Sequence, residues 1–147
     1  MYKTILVPLD GSKLAETALP HAESLALKYD ATLILLTVVS PPPIVGRDPA
    51  DIGLFQQNME DLRAEAERYL KGLKGEFREK HIRVETQVGL DPVVAEIIQT
   101  AESRSVDLVI IASHGRSGLG RFFFGSVAAG VLNRIEKPLM VIRSTED

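Results

Sequence analysis

The sequence predicts an α/β fold: a doubly wound, five-stranded parallel sheet with helices on both faces. Three observations carry this. Short apolar runs of strand length alternate with longer stretches of three- and four-residue apolar periodicity, in the order β-α-β-α-β-α-β-α-β. Strands separated by helices require parallel crossovers. Two of the runs, ATLILLTVV and VDLVIIAS, are almost continuously apolar, as strands covered on both faces must be.

The elements follow in order. Residues 3–9 (KTILVPL) form a β-branched run that ends near Pro8 and Asp10. Ser12 then caps a helix whose apolar face holds Leu14, Ala15, Ala18, Leu19, Ala22, Leu25 and Ala26. Pro20 falls inside that pattern and is expected to kink it. The second strand is 31–39. Residues 40–51 (SPPPIVGRDPAD) hold four prolines and one glycine and read as a loop. A helix over 52–80 presents Phe55, Met59, Leu62, Ala66, Tyr69, Leu70, Leu73 and Phe77, with Gly72 and Gly75 weakening its second half. The third strand, 81–89, alternates and has a wetter face. Asp91 and Pro92 open the next helix as cap and first-turn proline, ahead of the stripe Val93, Val94, Ile97, Ile98 and Ala101. The fourth strand is 106–113. A helix over 126–135 turns Val127, Val131, Leu132 and Ile135 inward, and 138–143 is the last strand.

Bulk composition narrows the function. A chain of 147 residues is read as one domain over 1–147. Its 45% hydrophobic and 25% charged content is that of a globular protein. Net charge is -3, which argues against bulk nucleic-acid binding. The absence of cysteine removes disulfides, thiol catalysis and Cys-based zinc sites, and fits a cytoplasmic setting. The N-terminus runs directly into a strand rather than a secretory signal, and no apolar run reaches the roughly 18 residues needed to span a bilayer.

Chemistry concentrates at 113–130, SHGRSGLGRFFFGSVAAG, which holds five of the eleven glycines. The stretch starts as a buried strand ends and finishes as a helix begins. Unpaired N–H groups at a helix start favour an anion, and glycines let backbone approach a phosphate without a Cβ intervening. Residues 112–137 carry Arg116, Arg121, Arg134 and Lys137 against Glu136 alone, an electropositive segment on an acidic chain. The cradle is neither a Walker A loop, since Ser126-Val127 follows Gly125, nor a dinucleotide fingerprint, since Phe123 stands where a third glycine belongs. In an open parallel sheet the ligand crevice lies outside the carboxyl ends of the strands, here Pro8–Asp10, Val38–Val39, Gly89–Asp91 and Ala112–Gly115.

The spacing Ala112-x2-Gly115-x9-Gly125-Ser126 resembles the nucleotide motif of the universal stress protein family, G-x2-G-x9-G-S/T. VPLDGS, LILLTVV, HGRSGL and GSVA leading into KPLMVIR extend the resemblance over nearly the whole chain, most weakly between 40 and 80. It implies strand order 3-2-1-4-5, a homodimer, and ATP with Mg²⁺ as a regulatory ligand with at most slow hydrolysis. Carried to matching positions, Pro8, Leu9, Asp10 and Val38 flank adenosine, while Ile111, Ala112, Gly115, Gly125, Ser126 and Val127 border ribose and phosphates. Asp10 either caps the first helix, a job for which Ser12 competes, stabilises the turn, bonds a ribose or helps hold Mg²⁺ through water. Ala112 stands where the family has glycine, and its methyl crowds the ribose or demands another torsion. That substitution is the basis of an alternative: a dimeric scaffold of the same fold that binds no nucleotide. An ATP-dependent ligase or transferase has little room for a second substrate domain.

The remaining residues have plainer readings. Arg116 and Arg121 are phosphate contacts or solvated charges. His114 has no spaced partner and serves the loop. Phe122, Phe123 and Phe124 belong to a core or a subunit interface. In the implied strand order 138–143 is an edge, apolar on both faces, and a bare edge invites isologous pairing with a second copy.

Overall fold

The computed structural model describes residues 1–41, 43–114 and 125–144. Five parallel strands form one sheet in the order β3-β2-β1-β4-β5. They are β1 (Thr4–Pro8), β2 (Thr32–Val39), β3 (Arg83–Leu90), β4 (Leu108–His114) and β5 (Leu139–Ser144). The helices are α1 (Lys13–Glu16), α2 (Leu19–Tyr29), α3 (Pro49–Glu79), α4 (Val93–Ser103) and α5 (Ser126–Arg134).

Alternation along the strands divides the core in two. Ile5, Val7, Leu33 and Leu35 point to one face and pack on Ala22 of α2 and on Leu70 and Phe77 of α3. Leu6, Ile34, Leu36, Val109 and Ile111 point to the other face and meet Ile97 of α4 and Val131 of α5. Ile5, Leu6 and Val7 are all fully buried, so β1 is the covered centre of the sheet. Each large aliphatic side chain buried this way contributes about 1.5–3 kcal/mol relative to exposure.

Several boundaries differ from expectation for identifiable reasons. The helix expected from Ser12 breaks at Thr17–Ala18 into α1 and α2. The break puts Pro20 in the first turn of α2, where a missing N–H costs little. Ser12 does cap α1, accepting from the Ala15 N–H at 3.1 Å. The long helix begins inside the expected loop: Asp48 is its N-cap residue and Pro49 lies in its first turn. Asp91 is not a helix cap. Pro92 holds the N-cap position of α4 with no side-chain cap bond, and the Asp91-Pro92 peptide is cis. Leu132, expected to face inward on α5, is exposed. On α3 only Ala66, Leu70, Leu73 and Phe77 are buried. A helix of 31 residues is about 46 Å long, against about 26 Å for an eight-residue strand, so the N-terminal half of α3 outruns the sheet.

Two features position the site. First, β1, β2 and β3 wind in one direction, and the chain then returns to lay β4 on the opposite side of β1. The winding therefore reverses between β1 and β4. Second, that pair is closed at one end and open at the other. Asp107 Oδ2 accepts from the N–H groups of Lys3 and Thr4 at 2.8 and 3.0 Å, and the Asp107 N–H donates to the Thr4 carbonyl at 2.8 Å. Pairing then covers Ile5 with Leu108 and Leu6 with Val109, and stops. β1 runs on to Pro8 along β2, while β4 runs on to His114 along β5.

Candidate functional site

The unpaired carboxyl ends of β1 and β4 bound a cavity of about 270 Å³. Its floor includes Leu36 of β2 and Ile97 of α4, both fully buried. Its walls include Pro8 at the end of β1 and Leu9 just after it, Val38 from β2, Ile111 and Ala112 from β4, and Val127 from the first turn of α5. Every described lining residue is apolar except Asp10 and Ser40, which are exposed. The cavity offers two apolar walls to a flat ring and polar groups to whatever is attached to it.

Asp10 is the single ionisable residue among those lining residues. Its Oδ1 accepts from the backbone N–H of Ser12 at 2.9 Å and from the Ser12 hydroxyl at 2.5 Å. This fixes the carboxylate in the turn after β1. Oδ2 takes no hydrogen bond from the described residues and is available to a hydroxyl donor. Of the alternatives for Asp10, the turn role is therefore realised, and it leaves one oxygen for a ligand.

At the opposite side α5 starts at the cavity edge. Gly125, not Ser126, is its N-cap residue, and among the described residues no side chain caps the helix. Gly125 has φ +78 and ψ 144, a region that only glycine occupies at low cost. Among the described residues a Cβ built there meets only the Ser113 hydroxyl at 3.7 Å, so within them the demand for glycine is torsional. Ser126 is the first helical residue and is exposed. The helix start thus presents backbone N–H groups, and its dipole favours an anion.

Seven expected site residues come together around this cavity: Pro8, Leu9, Asp10, Val38, Ile111, Ala112 and Val127. Gly125 and Ser126 stand at the adjoining helix start. Gly115 and Arg116 lie outside the described residues, as do Arg121 and Phe122–Phe124. Ala112 pairs with Ile142 in β4 without a positive φ, so an alanine there needs no special torsion. Ala15, Leu36, Ser40, Val93 and Ile97 also line the cavity and were not singled out from sequence. Ser40 was within reach of the carboxyl-end rule. The helical residues depend on how α1 and α4 pack over the crevice. Among the described residues no group of three His, Asp or Glu side chains is arranged to hold a metal ion. No described helix is long and apolar enough to cross a membrane.

A profile of the universal stress protein family matches residues 1–143. The chain belongs to the universal stress protein family. Universal stress protein MJ0531 of Methanocaldococcus jannaschii is 34% identical over 144 residues, which cover 97% of this chain and 83% of that protein. The structure of hypothetical protein MJ0577, from the same organism, superposes with a TM-score of 0.85 at 28% identity, covering 100% of this chain and 99% of the other. A universal stress protein from Archaeoglobus fulgidus, solved in complex with dAMP, gives a TM-score of 0.67 at 21% identity, covering 97% and 98%. The strand order 3-2-1-4-5 implied by the family motif is the order observed.

Proposed function

We propose that this universal stress protein family member binds an adenine nucleotide, ATP with Mg²⁺, at the β1–β4 crevice as a regulatory ligand in the cytoplasm. The observation that carries this reading is the early end of β1–β4 pairing, after Leu6 and Val109. It opens an apolar slot with one carboxylate at the mouth and a helix start beside it. The adenine ring suits the walls formed by Val38, Ile111 and Val127. Asp10 Oδ2 is an acceptor for a ribose hydroxyl, and the N–H groups beginning α5 suit phosphate oxygens. Ser126, Gly115 and Arg116 complete the phosphate side in this reading. Mg²⁺ rides on the triphosphate oxygens, which supply its ligands when bound. That a protein of the same fold takes up dAMP is in keeping with an adenine site.

The reading gives the nucleotide a regulatory role. The only ionisable group on the described wall, Asp10, is held by Ser12 rather than aimed at a reacting phosphate. Hydrolysis, if catalysed at all, is slow. The same reading makes the protein a homodimer joined through 138–143. β5 is an edge strand paired only with β4, and Leu139, Met140, Val141 and Ile142 are each half-buried.

Equilibrium titration with ATP-Mg tests the nucleotide assignment. Saturable one-site binding is expected, weakened by Val38→Asp, which puts a charge on the apolar wall. Absence of binding at millimolar nucleotide sinks the assignment.

A further inference from the structure

A second cavity, of about 490 Å³, opens on the other face of the sheet, between the carboxyl end of β2 and α3. Leu62, Glu65, Ala66 and Tyr69 line it from α3, at the three- and four-residue steps that share one helix face. Thr37 lines it from β2, and Asp10, Val38 and Ser40 are common to both cavities. Its polar lining is rich in acceptors, and the hydroxyls of Thr37 and Ser40 can also donate. Asp10 and Glu65 bring carboxylates. The Tyr69 hydroxyl donates its proton to Glu16 Oε2 at 2.8 Å and so offers only a lone pair. Burial and then the bond to Glu16 hold that phenol protonated well above the ordinary tyrosine range.

The independent sign of a ligand is Thr37. It is 8% exposed, and its Oγ1 is buried with no hydrogen-bond partner among the described residues. An enclosed hydroxyl without a partner costs about 1–3 kcal/mol.

We propose that this cavity binds a small organic cation, an alkylammonium compound with a short hydrocarbon stem. The ammonium supplies donors to Glu65, to the Tyr69 oxygen and to the Thr37 hydroxyl, while Leu62 and Ala66 cover the stem. The inference does not depend on the nucleotide assignment, and its test uses no nucleotide.

The test is titration calorimetry with 1,4-diaminobutane at about 0.15 M salt, where diffuse attraction is largely screened. Saturable one-site binding to the parent is expected, with 1,4-butanediol giving none. Glu65→Gln, an exposed position, is expected to weaken binding about tenfold. Thr37→Val is expected to weaken binding and to raise the urea midpoint of the free protein, because it removes the unpartnered hydroxyl. No saturable heat at millimolar diamine overturns the proposal. So does equal binding by both variants, or by the neutral diol.

Discussion

Gly125 joins the end of the glycine-rich stretch to α5 through a backbone torsion closed to other residues. Its φ of +78 with ψ 144 makes Gly125→Ala cost about 1–3 kcal/mol, although the new Cβ has room beside Ser113. A drop in urea midpoint together with weaker nucleotide binding is expected, whereas Ser126→Ala, at an exposed first helical position, leaves the midpoint unchanged. An unchanged midpoint in Gly125→Ala contradicts the torsional account. The sequence pointed to Gly125 through spacing and through backbone access for a phosphate; the torsional demand adds to that reason and has no signature in composition. Asp91 was misread. Its type and its place before Pro92 fit a cap, yet the chain enters α4 one residue later. Gly130 lets α5 pack close to α4: a Cβ there would lie 2.8 Å from Val94.

At the scale of elements, the β1–β4 pair is pinned at its amino end and diverges at its carboxyl end. Asp107 accepts two backbone N–H groups at the start of β1, and Asp107→Ala removes both bonds. A loss of about 1–2 kcal/mol in urea unfolding is expected, with Asp107→Asn losing less because it keeps a carbonyl acceptor. Equal stability of Asp107→Ala and the parent contradicts the pinning role. Strand identities were legible because a strand covered on both faces has to be continuously apolar. The start of α3 was not: Arg47-Asp48-Pro49 shares its residue types with a loop, and only the helix that follows makes Asp48 an N-cap residue. The buried fraction of α3 was overestimated, since periodicity marks an amphipathic face without saying where the sheet beneath it ends. Pro20 was correctly read as disruptive, and the chain answers by starting a new helix around it.

At the scale of the molecule, the strand order decides which edges are bare and where the crevice lies. β5 is an edge with half-buried apolar side chains on both faces, and the account expects a particle of twice the mass of one chain by light scattering at micromolar concentration. Val141→Pro, which removes a strand N–H, is expected to shift the mass toward one chain. A monomeric parent contradicts the pairing. The crevice was legible in outline, since the reversal of winding and the carboxyl-end rule selected Pro8, Asp10, Val38 and Ala112 before any coordinates. Its floor and far wall, Leu36, Ile97 and Val93, were not, because they arrive from elements distant in sequence and look like ordinary core. The central claim is that this crevice holds an adenine nucleotide, and a structure of the protein crystallised with ATP-Mg tests it most directly. The account predicts the base between Val38 and Val127, a ribose hydroxyl on Asp10, and phosphates at the start of α5. Nucleotide density elsewhere, with the crevice empty, would contradict it.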